Sequence, residues 1–332
     1  MFKPTLLCAS LLASSLFASQ AFALNIVLTN DDSWNTDNIQ VMFSALKSAG
    51  HNVVMSAPCT GQSGKGGAIS FLKPVVTNYT KAEDMQYCVG DTDTSKAFTN
   101  YVEGTPIMAV LHGIDVAAQT AWGKAPDLVI SGPNEGNNLG YLNNSSGTLG
   151  AAMVSITRGI PAIAISAADG DAEKAPKVAK IVIDIISTLE AQRSEGQPLL
   201  PPFTGLNVNT PSDLDNNKGY KFTQVGWNAG ADIVFRSNLA EDTSAMYYMT
   251  QGIMEAKGLD QAAASAVAKQ LLDGKMGISF AQGEDLVKDH AEDSEGVALY
   301  NGYITISTID AQVQASQAKA ALTQLKLNSL IK

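Results

Sequence analysis

The chain has 332 residues, of which 45% are hydrophobic and 16% charged, and its formal net charge is −10. This composition excludes an intrinsically disordered chain, because such chains combine low hydrophobicity with high charge. The acidic balance argues against a nucleic acid as the main partner, since binding to the phosphate backbone needs a basic surface. Three histidines and three cysteines are too few for a histidine-rich metal site or a disulfide scaffold.

Residues 1–23 have the pattern of a secretory signal peptide. Lys3 precedes an apolar run, and an Ala-Phe-Ala sequence at 21–23 suits cleavage. We therefore expect an exported protein, periplasmic or secreted. Cleavage removes one lysine and no acidic residue, which takes the net charge from −10 to −11. The two cysteines that remain, Cys59 and Cys88, either pair in the oxidising compartment or stay separate buried thiols.

Apolar runs and helical periodicities alternate along the rest of the chain. Residues 24–29 (LNIVLT) predict a buried strand, apolar residues recur with helical spacing over 39–46, and 52–57 (NVVMSA) predict a second strand. A strand, a helix and a strand in such a short segment form a βαβ unit with parallel strands. The alternation continues with helices expected at 105–118, 148–158 and 177–192 and strands at 127–131, 161–166 and 206–209.

This alternation predicts an α/β fold with a Rossmann-like, doubly wound, mostly parallel sheet. We expect the core to span 24–236, with a Gly/Ser-rich loop at 58–72. Residues 237–297, rich in Ala, Asp and Met, predict a mainly helical insertion or cap. Residues 298–332 complete the fold with a strand at 302–307 and a final helix at 310–325. After the signal peptide, no apolar run is long enough to span a membrane.

Polar side chains follow several predicted strands, at the edge where doubly wound sheets bind ligands. Asp31 and Asp32 follow the first strand, Ser63 lies in the loop after the second, and Asn134 follows the strand at 127–131. These oxygen donors suit Mg²⁺, Mn²⁺ or Ca²⁺ rather than zinc. A divalent cation would offset the repulsion between the adjacent carboxylates. The aspartate pair alone is equally typical of the acidic start of a helix.

A candidate anion site lies at the start of the helix predicted at 148–158. Ser146, Gly147 and Thr148 offer backbone N–H groups and hydroxyls to a phosphate, although the same residues are typical of an ordinary helix cap. The segment GQSGKGG at 61–67 lacks the spacing of a phosphate-binding P-loop and of the nucleophile elbow of serine esterases. The first strand is not followed by a glycine-rich turn, which disfavours dinucleotide binding.

Five motifs follow one another along the chain: TNDD at 29–32, AP at 57–58 with a serine five residues later, EGTP at 103–106, SGxNxGxNxG at 131–140 and SGTxGAA at 146–152. In this order they resemble the SurE family of survival-protein phosphatases and nucleotidases. The similarity covers most of residues 24–230. At three positions the chain departs from the family pattern: Ser33 stands where the family usually has glycine, Cys59 where it usually has an acidic residue, and Ser145 where it usually has tyrosine.

The resemblance implies a metal-dependent phosphomonoesterase of the 5′-nucleotidase or acid phosphatase type, which hydrolyses nucleoside monophosphates by metal-assisted attack of water. It implies one divalent cation per subunit and a homo-oligomer. The catalytic residues would be Asp31 and Asp32, with an aspartate nucleophile left open. An exported protein that binds phosphate or nucleotide without turnover is the alternative. The implied metal ligands are Asp31, Asp32, Ser63 and Asn134, and the implied substrate-binding residues are Asn138, Ser146, Gly147 and Thr148.

Overall fold

A central sheet organises the structure. The computed structural model describes residues 23–93, 95–97, 99–168, 173–194, 196–282 and 289–330. The expected signal peptide therefore lies outside the described residues, apart from Ala23. The strands are β1 (Asn25–Thr29), β2 (Asn52–Pro58), β3 (Thr77–Lys81), β4 (Gln86–Val89), β5 (Leu128–Glu135), β6 (Ala162–Ala167), β7 (Thr204–Thr210), β8 (Tyr220–Thr223), β9 (Ala231–Arg236), β10 (Gly277–Gln282) and β11 (Ile304–Asp310).

The strand order in the described part of the sheet is β3-β4-β2-β1-β5-β6-β7-β11-β8. Neighbours from β4 through β7 pair in parallel, whereas β3 and β11 run antiparallel to β4 and β7. The chain builds the sheet outward from β1 on one side and then from β5 on the other. The point between β1 and β5 is therefore the topological switch point, where such sheets bind ligands. This arrangement confirms the predicted Rossmann-like fold.

Helices cover both faces of the sheet. Along β1, Ile26 and Leu28 pack with α1 and α5 in one cluster, while Val27 packs with α2 and α4 in another. This follows from the period of two in a strand, which sends successive side chains to opposite faces. The helices are α1 (Asp37–Ser48), α2 (Pro106–His112), α3 (Ala118–Trp122), α4 (Gly147–Thr157), α5 (Lys174–Gln192), α6 (Thr243–Lys257), α7 (Gln261–Leu272), α8 (Glu295–Tyr300) and α9 (Gln317–Leu327).

The structure corrects several expected elements. The final helix begins at Gln317 rather than at 310, because β11 extends to Asp310. The helix expected at 105–118 consists of α2, a π-helical turn over Gly113–Ala117, and α3. Strands β3, β4, β8, β9 and β10 were not expected. Both β3 and β8 lie at sheet edges and are partly exposed. Strand β3 (TNYTK) is mostly polar and β8 (YKFT) has only four residues, so neither has a clear run of buried apolar residues.

Residues 231–282 form a second small sheet and two helices, which we call the extension. It consists of β9, α6, α7 and β10, and β9 pairs antiparallel with β10. The predicted insertion at 237–297 does contain two helices, α6 and α7, but it also contains β10, whose partner precedes it. A small cluster around Ile253, Ala264 and Ala268 joins the two helices. Within the described chain, no helix is long and apolar enough to cross a membrane.

Candidate active site

Asp31 lies at the end of β1, where it meets the start of α4. Its side chain is buried, with an exposed fraction of 3%. The Thr148 hydroxyl donates a hydrogen bond to Asp31 Oδ1 at 2.7 Å. Burial raises the pKa of Asp31, while hydrogen bonds from Thr148 and from the backbone of Gly147 oppose this rise. The structure thus brings the first predicted carboxylate together with the predicted phosphate-binding helix start.

Asp32 is partly buried beside Asp31. The backbone N–H of Glu135, at the end of β5, donates to Asp32 Oδ2 at 2.9 Å. Burial and the neighbouring charge of Asp31 raise the pKa of Asp32 to about 7. Two carboxylates in this position favour a proton or a cation between them. The switch point between β1 and β5 therefore holds the predicted acidic pair.

The glycine-rich loop at 58–72 packs against the same cluster. Gln62 N donates to the backbone oxygen of Asp31 at 2.6 Å, so Ser63 follows directly after a contact with Asp31. Gly66 N donates to Ser145 O at 3.1 Å. A Cβ atom on Gly66 would lie 2.9 Å from the backbone of Ser145, so only glycine permits this approach.

A disulfide closes the longer segment that contains this loop. Cys59, after β2, is bonded to Cys88 in β4, with a Cα–Cα distance of 4.8 Å. The structure therefore confirms that Cys59 and Cys88 pair, and the alternative of two separate thiols is wrong. The segment between the cysteines contains Ser63, so the disulfide limits how far that loop can move from the acidic pair.

Asn134 lies at the end of β5, next to Asp32. Its Nδ2 donates to the backbone oxygens of Glu135 at 3.1 Å and Gly136 at 2.7 Å. These bonds orient the amide, so Oδ1 is the atom that can ligate a cation. Asn134, the two aspartates and Ser63 would supply carboxylate, amide and hydroxyl oxygens, which are the donors that Mg²⁺, Mn²⁺ and Ca²⁺ prefer.

No group of three or more histidine, cysteine, aspartate or glutamate side chains that could hold a metal is found within the described residues. The predicted set contains only two carboxylates, and its other two donors are a hydroxyl and an amide. The finding therefore leaves the predicted metal site untested. The chemistry of the donors fits a hard divalent cation, and the repulsion within the acidic pair supports one.

The predicted substrate-binding residues also converge. Asn138 Nδ2 donates to Ser166 Oγ at 2.9 Å and to Thr148 Oγ1 at 3.4 Å. The Ser146 hydroxyl accepts from Leu149 N at 3.2 Å, which is the ordinary helix cap that the sequence also allowed. A Cβ atom on Gly147 would lie 2.6 Å from Asp31 Cβ. Glycine at this position therefore permits the contact between α4 and the acidic pair.

Sequence reasoning missed a charged group beside Asp32. Glu135 accepts a hydrogen bond from Asn38 Nδ2 at 2.6 Å and forms an ion pair with Lys174 Nζ at 2.6 Å. The Lys174 charge opposes the rise in the pKa of Asp32. Glu135 occupies an unspecified position of the SGxNxGxNxG motif, and Lys174 lies outside every motif, so neither carried a signal.

Comparisons with known proteins show which family the chain resembles. A family model described as survival protein SurE matches residues 26–232. An acid phosphatase of Yarrowia lipolytica is 39% identical over 210 residues, which cover 57% of this chain and 58% of that protein. A 5′-nucleotidase SurE of Thermosipho melanesiensis is 31% identical over 278 residues, covering 83% of this chain and 100% of that protein. The crystal structure of the SurE protein from Aquifex aeolicus has a TM-score of 0.63 at 28% identity and covers 91% of this chain and 99% of its own.

Proposed function

Because the chain belongs to the survival protein SurE family, we propose that it is a divalent-metal-dependent phosphomonoesterase that hydrolyses nucleoside monophosphates. The observation that carries this proposal is the hydrogen bond between Asp31 and Thr148 at the start of α4, with Asp32 beside Asp31 at the switch point. Relatives named 5′-nucleotidase and acid phosphatase support it. These names favour hydrolysis over the alternative of binding without turnover.

Asp31, Asp32, Ser63 and Asn134 would hold one divalent cation, Mg²⁺, Mn²⁺ or Ca²⁺. When bound, such an ion neutralises phosphoryl charge and makes water a better nucleophile. Asp32 is more exposed than Asp31, and its Oδ2 is held by the backbone of Glu135. Asp32 would therefore orient an incoming water and accept its proton. Asp31, tied to Thr148, fixes the other side of the site.

Asn138, Ser146, Gly147 and Thr148 would bind the phosphate group of the substrate. The start of α4 carries the partial positive charge of a helix N-terminus, which favours an anion there. This local charge matters because the protein as a whole is acidic, with a net charge of −10. A bound cation and the helix start together would attract a phosphate that the overall charge repels.

Chelation tests the metal requirement directly. We expect the purified protein to release phosphate from p-nitrophenyl phosphate and from nucleoside 5′-monophosphates. EDTA should abolish this activity, and added Mg²⁺ or Mn²⁺ should restore it. Full activity in EDTA would contradict the metal requirement. Stoichiometric nucleotide binding with no product would favour the binding protein instead.

Replacement of one aspartate tests the assignment of the acidic pair. Asp32→Asn keeps the size of the side chain but removes the charge, so we expect kcat/KM for p-nitrophenyl phosphate to fall by about 10²–10⁴-fold. Asp37→Asn is the matched control, because Asp37 is an exposed aspartate in the first turn of α1. Equal rates in the two variants would show that Asp32 has no part in the reaction.

We also propose that the protein is exported to the periplasm or secreted, and that it forms a homo-oligomer. The residue pattern at 1–23 and the disulfide support export, because disulfides form in oxidising compartments. Exposed Leu322 and Leu325 on α9 support association between copies. N-terminal sequencing of the mature protein and light scattering test the two proposals.

A further inference from the structure

Glu295 is a buried carboxylate at the first position of α8, away from the acidic pair. Its exposed fraction is 0%. Oε1 accepts hydrogen bonds from Gly140 N at 3.1 Å and Asn143 Nδ2 at 3.2 Å. Oε2 accepts from Asn207 Nδ2 at 2.9 Å and Ser307 Oγ at 3.0 Å. Four neutral donors thus surround one carboxylate, which uses its full capacity as an acceptor.

Two of these donors belong to the segment that carries the proposed phosphate ligands. Gly140 and Asn143 lie within residues 138–146, which we call the 138–146 loop. It begins at Asn138 and ends at Ser146, immediately before α4. Glu295 Oε1 therefore binds this loop from within the protein at two points.

The other oxygen of Glu295 acts on the same loop through β7. Asn207 Nδ2, which donates to Glu295, also donates to the backbone oxygen of Asn138 at 3.2 Å. Asn209 holds Asn138 from the same strand, since its Nδ2 donates to Asn138 O at 2.9 Å and its Oδ1 accepts from Asn138 N at 2.9 Å. Glu295 thereby orients Asn207, and Asn207 helps to fix the backbone of Asn138.

The hydrogen bonds continue from Asn138 to the acidic pair. Asn138 Nδ2 donates to Thr148 Oγ1, and Thr148 Oγ1 donates to Asp31 Oδ1. An unbroken series of contacts therefore links Glu295 to the proposed metal ligand Asp31. Each member is buried or partly buried, so water does not compete freely for these bonds.

We propose that Glu295 is a positioning residue of the phosphate site, which holds the 138–146 loop against β7 so that Asn138 and Ser146 meet the substrate in a fixed place. The inference rests on the proposed function, because it assigns a role within the same site. Glu295 contacts neither the substrate nor the reacting atoms. Its effect is to keep the loop organised before the substrate arrives.

The carboxylate has a role that an amide of the same size cannot fill. In Glu295→Gln, the new NH₂ group would face donors. Asn207 can satisfy it only by turning its own amide, whose Oδ1 has no partner among the described residues. That turn withdraws Asn207 Nδ2 from the backbone oxygen of Asn138. The substitution therefore loosens Asn138 without leaving a cavity.

The test compares Glu295→Gln with Ser307→Ala in the full chain. Ser307→Ala removes one donor to Glu295 but leaves the bonds to Gly140, Asn143 and Asn207. We expect Glu295→Gln to raise the Kd of inorganic phosphate and the KM for p-nitrophenyl phosphate about tenfold, with a much smaller change in kcat. Amide hydrogen exchange within 138–146 should become faster. Ser307→Ala should leave the Kd, the KM and this exchange unchanged.

Three results would overturn the proposal. The first is a folded Glu295→Gln protein that keeps the wild-type Kd of phosphate and the wild-type hydrogen exchange of 138–146. The second is an equal loss of phosphate affinity in Glu295→Gln and Ser307→Ala, which would indicate general destabilisation. If Glu295→Gln does not fold, Asn143→Ala removes one loop donor at a partly exposed position. The third result is an unchanged phosphate Kd in Asn143→Ala. If the wild-type protein hydrolyses no phosphomonoester, the proposed function fails, and the exchange of 138–146 alone decides the role of Glu295.

Discussion

The edge of the sheet around Asp31 and the extension differ in how closely their chains pack. At the edge, a single added carbon on Gly147 would meet Asp31 Cβ at 2.6 Å. In the extension, Ile278 lies opposite Phe235 across the β9–β10 pair, yet the two side chains are 60% and 66% exposed. A site that holds two carboxylates needs backbone and donors brought close together.

Equivalent glycine substitutions in the two regions should therefore have opposite effects. Gly147 and Gly252 are both helical, but a Cβ on Gly252 would meet nothing within 4 Å. We expect Gly147→Ala to lower kcat/KM about 10²-fold by displacing Asp31, and to destabilise the fold by about 1–3 kcal/mol. Gly252→Ala should leave activity unchanged and raise the free energy of unfolding by up to about 1 kcal/mol.

Steady-state kinetics measure kcat/KM of both variants, and urea unfolding measures their free energies of unfolding. If Gly147→Ala kept wild-type kinetics, the close approach of α4 to Asp31 would have no bearing on catalysis. Loss of activity in Gly252→Ala would show that the extension is coupled to the site.

Loss of the disulfide should loosen only the edge of the sheet around Asp31, since the extension contains no cysteine. Cys59 and Cys88 are 29 residues apart, and closing a segment of this length stabilises a protein by about 2–4 kcal/mol. We expect Cys59→Ala/Cys88→Ala to lower the free energy of unfolding by this amount. Hydrogen exchange should become faster within 60–87 and stay unchanged in α6 and α7. Faster exchange throughout the chain would contradict a local role.

The sequence predicted most of the buried strands of the central sheet, although it missed the buried strand β4. Strands such as β1 are covered on both faces, so they are short apolar runs that a single sequence reveals. The acidic pair, Asn134 and the start of α4 were also predicted, because a doubly wound sheet places the ends of its parallel strands at one edge. The expected compartment allowed the disulfide without deciding between pairing and two separate thiols, and the structure contains it.

The parts that the sequence missed depend on contacts between distant residues. Glu295 lies 155 residues from Gly140, and no local pattern connects them. The sequence placed Glu295 in the expected insertion at 237–297, although its carboxylate binds residues of the core. Strand β10 was missed because its large apolar side chains, Ile278 and Phe280, are exposed and its partner β9 lies about 40 residues earlier across two helices. Such pairings follow from the assembled fold rather than from periodicity.

The smallest effect that we expect concerns backbone strain at the edge. Ser33 has a φ of 113°, a region that favours glycine. The Ser33 hydroxyl lies within hydrogen-bonding distance of Asn35 Oδ1 at 2.7 Å and Cys59 O at 3.1 Å. Ser33→Ala loses this hydrogen bond and keeps the strain, whereas Ser33→Gly loses the bond and relieves the strain.

We therefore expect Ser33→Gly to be about 1–2 kcal/mol more stable to urea than Ser33→Ala and close to the wild-type protein, because the lost hydrogen bond contributes about 1 kcal/mol. Gly258 gives the matching measurement in the extension, since it has a φ of 63° and open space around it. Gly258→Ala should cost about 1 kcal/mol from backbone conformation alone. If the Ala and Gly variants at position 33 were equally stable, the edge would hold no strain there, and its difference from the extension would lie in side-chain contacts only.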